Sequence, residues 1–211
     1  MSVVIVNLST PKRPKPRIES LSDLIFGLAL SIGTISLISR MPTFPAGILI
    51  DVQQFGFSFL ILISVWFNYT SIMSVLPVED SRTIVLNIVM LFLVSVEPYL
   101  FYLNVVFDLA QEEVMLNAAS VAYALDMAGL MAILALFTHE LTIEEKKLVS
   151  QDALGNYRRV RNSLFLAAVI FGVTILPIFW TIRVLDTPLR FYLWFVPLIV
   201  ASIRRVTSRL T

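Results

Sequence analysis

Three acidic residues stand inside apolar runs, or at their mouths: Asp23, Glu97 and Asp126. The runs are long enough to cross a bilayer, whose roughly 30 Å hydrocarbon core needs about 20 mostly apolar residues. A charge at that depth costs roughly 2.5–3.5 kcal/mol on insertion scales. Such a residue is kept where it ties helices together, caps a helix start, or handles ions or protons. Asp23 has the richest setting. Arg17-Ile18-Glu19-Ser20-Leu21-Ser22-Asp23 runs directly into the apolar residues 24–38. Beyond Asp23, Leu28, Ile32 and Ile35 follow at offsets of four and three, which places them on one helical face. Ser31 lies beside them. Gly27, Ala29 and Gly33 occupy the other faces and are small enough for close helix approach. The pattern reads as one functional stripe and one packing stripe.

A carboxylate that locks helices needs partners at its own depth, because hydrocarbon supplies none. Trp66, Asn68 and Tyr69 lie near one end of the second apolar run, and Asn87 near the start of the third. In an up-and-down bundle these ends meet, so Arg17, Ser22, Asp23, Trp66, Asn68 and Asn87 are expected to form a polar network. Glu97 precedes Pro98 in the third run. It reads as a paired carboxyl at a helix bend, with a proton carrier as the alternative. Asp126, midway along the fourth run, reads equally as a proton or cation site or as a partner of Ser120 or Tyr123. His139, the only histidine, reads as a solvated helix end.

The elements that must position these residues are helices in a membrane. Of the 211 residues 57% are hydrophobic and 15% charged, against about 25% charged in soluble domains. The mean hydropathy is +0.84, and the excess sits in long runs. The expected fold is an all-α integral membrane protein, one domain over residues 1–211. Its six transmembrane helices are expected at about 20–39, 48–76, 84–107, 114–137, 163–182 and 188–206. Proline and glycine between residues 41 and 47 break the first run from the second. Pro177 is expected to kink the fifth helix.

The basic residues set the orientation. Lys12, Arg13, Lys15, Arg17, Arg82, Lys146, Lys147, Arg158, Arg159, Arg161, Arg204, Arg205 and Arg209 fall on one side, leaving Arg40, Arg183 and Arg190 on the other. The positive-inside rule then puts both termini in the cytoplasm. Trp180 and Trp194 are expected as interfacial anchors at the outer ends.

Several functions are excluded or disfavoured. No cysteine is present, so there is no disulfide framework and no thiolate metal site. A net charge of +1 carries no nucleic-acid footprint. There is no phosphate-binding glycine loop, no Gly-x-Ser-x-Gly and no His-Glu-x-x-His. No enzyme activity, metal or cofactor is therefore expected.

Arg17-x-x-x-Leu21-Ser22-Asp23 resembles the Arg-x-x-x-Phe-Ser-Asp signature of the transmembrane protein 175 family of potassium-permeable channels. Ser58-Phe59, Trp66, Asn68 and Asn87 extend the resemblance. Leu21 stands where the family has phenylalanine. A histidine often found just after the tryptophan is missing, with Tyr69 or Thr70 near its place, which weakens the expected lock.

The resemblance implies a homotetramer with four copies of the first helix around a central pore. It places the pore constriction at Leu28, a hydroxyl of the selectivity region at Ser31, and further pore-facing aliphatics at Ile32 and Ile35. A ring of leucines gates by dewetting, and no carbonyl filter is present. The permeant ion would be potassium, with weak-to-moderate preference over sodium. Lipids would be the other partners, and the unduplicated length favours a prokaryotic plasma membrane. The competing readings are a proton leak or proton-coupled carrier using Asp23, Glu97 and Asp126, and a scaffold or small membrane enzyme without ion flux.

Overall fold

Long apolar runs with few breakers dictate helices, and helices are what the chain forms. The computed structural model describes residues 17–38, 45–76, 81–110, 112–143, 148–184 and 187–197. Their elements are α1 (Arg17–Ile38), α2 (Pro45–Met73), α3 (Ser81–Ala110), α4 (Glu113–Leu141), α5 (Gln151–Val173), α6 (Ile178–Thr181), β1 (Arg183–Val184) and β2 (Thr187–Pro188). A last helix, α7, covers residues 189–197. Pro45 opens α2, where its missing N–H and fixed φ suit a first helical position. By length and composition, Phe55–Met73, Ser81–Asp108 and Glu113–Leu141 are each able to cross a membrane.

The packing order is simple. α1 lies against α3 and α2, α3 against α4, and α4 against α5, with α2 also reaching α4. The core between them is built from Phe26, Val65, Tyr69, Met90, Val94, Tyr123, Met127, Leu130 and Phe137, all buried. α3 and α4 approach closely at Gly129, where a Cβ would stand 3.0 Å from Leu93 Cδ1.

Helix boundaries differ from the sequence-based expectation most clearly at α5, which begins at Gln151 rather than 163. The charges Arg158, Arg159 and Arg161 hid the apolar ridge. Leu154, Leu164, Ala167 and Phe171 are buried, with Tyr157 and Val160 packed beside them. That is helical spacing along one face. Pro177 does not kink a continuous helix: α5 ends at Val173, and a turn leads into the one-turn α6. Pro98, by contrast, sits inside α3 without ending it.

Trp194 is not an interfacial anchor. It is 2% exposed, its Nε1 donates to Thr174 Oγ1 at 3.1 Å, and its ring lies 4.7 Å from that of Tyr123. A polar partner for the indole N–H lets this large ring fill the core. Trp180 remains partly exposed and donates to Thr174 O. The Arg17 side chain, residues 144–147, the end of the sixth expected helix and Arg204-Arg205 lie outside the described residues.

Candidate functional site

α1 has two unlike faces. The inner one carries Ser22, Phe26 and Ala29, each at 1% exposure or less. It is tied down by side chains from two other helices. Tyr69 OH donates to Ser22 Oγ at 2.7 Å, and Asn87 Nδ2 donates to the same oxygen at 3.3 Å. Trp66 Nε1 donates to Asp23 Oδ1 at 3.1 Å. Phe26 packs its ring 5.6 Å from that of Tyr69. The expected network thus assembles from Ser22, Asp23, Trp66 and Asn87.

Asn68 stays out of it. Its Nδ2 donates to Ser64 O on its own helix. Two residues beyond Trp66, it points away from α1. Tyr69, three residues beyond, shares the Trp66 face. Tyr69 therefore supplies a buried donor to Ser22. The signal was in the sequence: a large residue with a polar tip at i+3 from the tryptophan.

Among the described residues, nothing covers the outer face of α1. Leu28, Ile32 and Ile35 are 53%, 48% and 60% exposed, and Leu21 and Leu24 continue the same stripe. Ser31 is exposed among them and donates its hydroxyl hydrogen to Gly27 O at 2.8 Å. That bond leaves the Ser31 oxygen with lone pairs for an outside cation. Thr34 repeats the arrangement toward Leu30 O. A Cβ added at Gly27 would meet nothing within 4 Å, whereas one at Gly33 would stand 3.4 Å from the Phe55 ring. Of the three small residues, Ala29 and Gly33 lie on packed faces of α1 and Gly27 faces out.

Glu97 and Asp126 are off this stripe, buried between the helices. Ser58 Oγ of α2 donates to both Glu97 oxygens, at 3.1 and 3.2 Å. Asp126 does not bond Ser120, which donates instead to Asn104 Oδ1. Asn104 also donates to Leu100 O and, across to α4, to Ala119 O.

Two further polar groupings were not singled out from the sequence. Arg190 is buried at the start of α7, donates through Nη1 to Asn117 Oδ1 at 2.9 Å, and lies 5.1 Å over Phe191 and 5.7 Å from the Trp180 ring centre. A buried arginine over aromatic faces is a cation–π arrangement, visible only once the β1–β2 hairpin folds it back. At the other end of α4, Arg161 Nη1 lies 3.3 Å from His139 Nδ1 and donates to Thr142 Oγ1.

Residues 17–98 match the family model described as the endosomal/lysosomal potassium channel TMEM175. Two solved structures share the fold. One is a lysosomal potassium-selective channel TMEM175 homolog from Chamaesiphon minutus, at 18% identity and a TM-score of 0.61. It aligns over 89% of this chain and 96% of its own. The other is a variant of the potassium channel MtTMEM175 in complex with a Nanobody-MBP fusion protein, at 18% identity and a TM-score of 0.58. There the coverage is 97% of this chain and 98% of the other. No curated protein matches the chain. The family match spans the whole network around Ser22 and Asp23, the outer stripe of α1, and Glu97.

Proposed function

We infer that this chain, with a TMEM175-type segment at residues 17–98 and the fold of two such channels, is a potassium-permeable channel of that family. It conducts passively and performs no catalysis. Six helices cross the cell membrane with both termini in the cytoplasm. Four copies assemble so that the α1 helices surround a central pore, in a prokaryotic plasma membrane.

One observation carries this reading. A helix anchored by three hydrogen bonds on one side presents a bare aliphatic stripe with a serine oxygen on the other. Lipid would accept an aliphatic stripe as well. The anchoring of the opposite face, and the serine within the stripe, favour a water-facing role. Leu28 would form the constriction, which closes by dewetting when the four side chains approach. Ser31 oxygens, one from each subunit, would contact a partly hydrated potassium ion. A single ring of hydroxyls replaces less of the hydration shell than stacked carbonyls do, so selectivity over sodium is modest.

Purified chain in liposomes, under opposed potassium and proton gradients, tests the assignment. A reversal potential that tracks the potassium gradient is expected. One that follows pH alone would replace the channel by the proton-leak reading, and no flux at all would leave a scaffold.

The tetramer has its own test. Gly27 has open space around it in the subunit, so Gly27→Phe is expected to leave the subunit folded. A ring at that place would obstruct close approach of α1 helices. Loss of the tetramer at unchanged helical content, read by mass measurement in detergent, is the expected result. A Gly27→Phe tetramer of wild-type mass and conductance would remove this face from the assembly.

A further inference from the structure

A second polar centre lies inside the subunit, away from the α1 stripe. Glu97 is 0% exposed at the middle of α3, one residue before Pro98. Among the described residues its close donor is the Ser58 hydroxyl, which spans both oxygens. One hydrogen leaves most of the lone-pair sites of a carboxylate unsatisfied. From α4 come Tyr123 and Asp126, three residues apart and so on one face. The Tyr123 hydroxyl is wholly buried and faces Glu97, but among the described residues it completes no well-formed hydrogen bond. Asp126 Oδ2 is likewise buried without a partner. Phe101 and Trp194 wall the tyrosine at 5.7 and 4.7 Å. Among the described residues, the titratable groups that act on Glu97 are Asp126 and Tyr123 of α4, while α2 contributes only Ser58.

The inventory is short of hydrogens. Two carboxyl groups meet two hydroxyl donors, in a layer where water is not at hand to supply the rest. We propose that Glu97, Asp126, Tyr123 and Ser58 form a proton-binding site within each subunit, distinct from the pore. Loading is a plain proton transfer: hydronium gives its proton to a Glu97 oxygen, an O–H bond forms, water leaves, and no electrons are exchanged. The new Glu97 O–H donates to Tyr123 Oη. The tyrosine hydrogen is then free to turn to Asp126 Oδ2 on its own helix. Emptying the site would leave two like charges facing each other between α2, α3 and α4. α3 is the helix able to yield there, because Pro98 donates no backbone hydrogen bond. The site thus converts proton activity into packing of these three helices.

Infrared spectra of the purified chain in lipid nanodiscs, titrated over pH, test the site without any ion flux. They therefore stand or fall apart from the channel assignment. At neutral pH a carboxylic-acid C=O stretch is expected in wild type, absent in Glu97→Gln and shifted in frequency in Tyr123→Phe. Raising the pH should remove the band and lower the melting temperature of wild type, since stability from a proton bound only in the folded state is lost as protons become scarce. Glu97→Gln, which keeps a neutral group of the same shape, should melt independently of pH in that range. If Glu97→Gln does not fold, Tyr123→Phe decides, and an unmoved band would reject the site. A wild-type spectrum without the band would also overturn it. So would a carboxylate signal that responds to added potassium instead of pH.

Discussion

Replacing Leu28 by alanine is expected to raise the potassium leak of reconstituted protein at least about tenfold, the equivalent of ~1.4 kcal/mol off the permeation barrier. The side chain is half exposed on a face that no described residue covers, so its loss leaves the fold of the chain almost untouched. In the proposed ring of four, shortening every copy would widen the constriction at once and let water wet it. Leu60→Ala is the control. Leu60 is exposed to a similar degree but stands on α2, and its truncation should leave conductance at the wild-type level. If the two variants conduct alike, Leu28 is not at the narrow point, and α1 faces lipid instead of ions.

Ser22→Ala should cost more stability than any single change on the outer stripe. The Ser22 oxygen receives both Tyr69 OH and Asn87 Nδ2, and both are buried. Alanine removes the acceptor that both donors share. Interhelical bonds in membranes are worth on the order of 0.6–1.7 kcal/mol each, so the loss should be about 1–3 kcal/mol, read as a fall in melting temperature in nanodiscs. Asp23→Asn should be milder, because the amide oxygen still accepts from Trp66 Nε1. Combining Ser22→Ala with Tyr69→Phe tests the mechanism. The double variant should recover part of the loss, since it removes a hydroxyl whose Ser22 acceptor is gone. A double variant that loses the sum of both single effects would show that Tyr69 acts elsewhere.

Membrane character, the α1 stripe and the acid-bearing residues were legible in the linear chain, because hydrocarbon admits few polar residues and each one stands out. Spacing alone put Leu28, Ile32 and Ile35 on one face, and the structure leaves that face bare. Asp23 and Trp66 were paired from depth alone, by counting where helix ends meet. What failed did so for local reasons. The start of α5 was masked by arginines, whose charges occupy the exposed face while Leu154 and Leu164 hold the buried one. Trp194 looked interfacial because a tryptophan near a helix end often is. Its burial depends on Thr174, twenty residues away, offering an oxygen.

Composition and helical period decided which residues lie in the bilayer and which face each presents, because both follow from a chain's own solvation and from 3.6 residues per turn. Partnership was decided by the fold. Tyr69 rather than Asn68 bonds Ser22, and Ser58 rather than a basic residue meets Glu97. A hydrogen bond needs two atoms within about 3 Å, and only the packing of helices distant in the chain brings such pairs together.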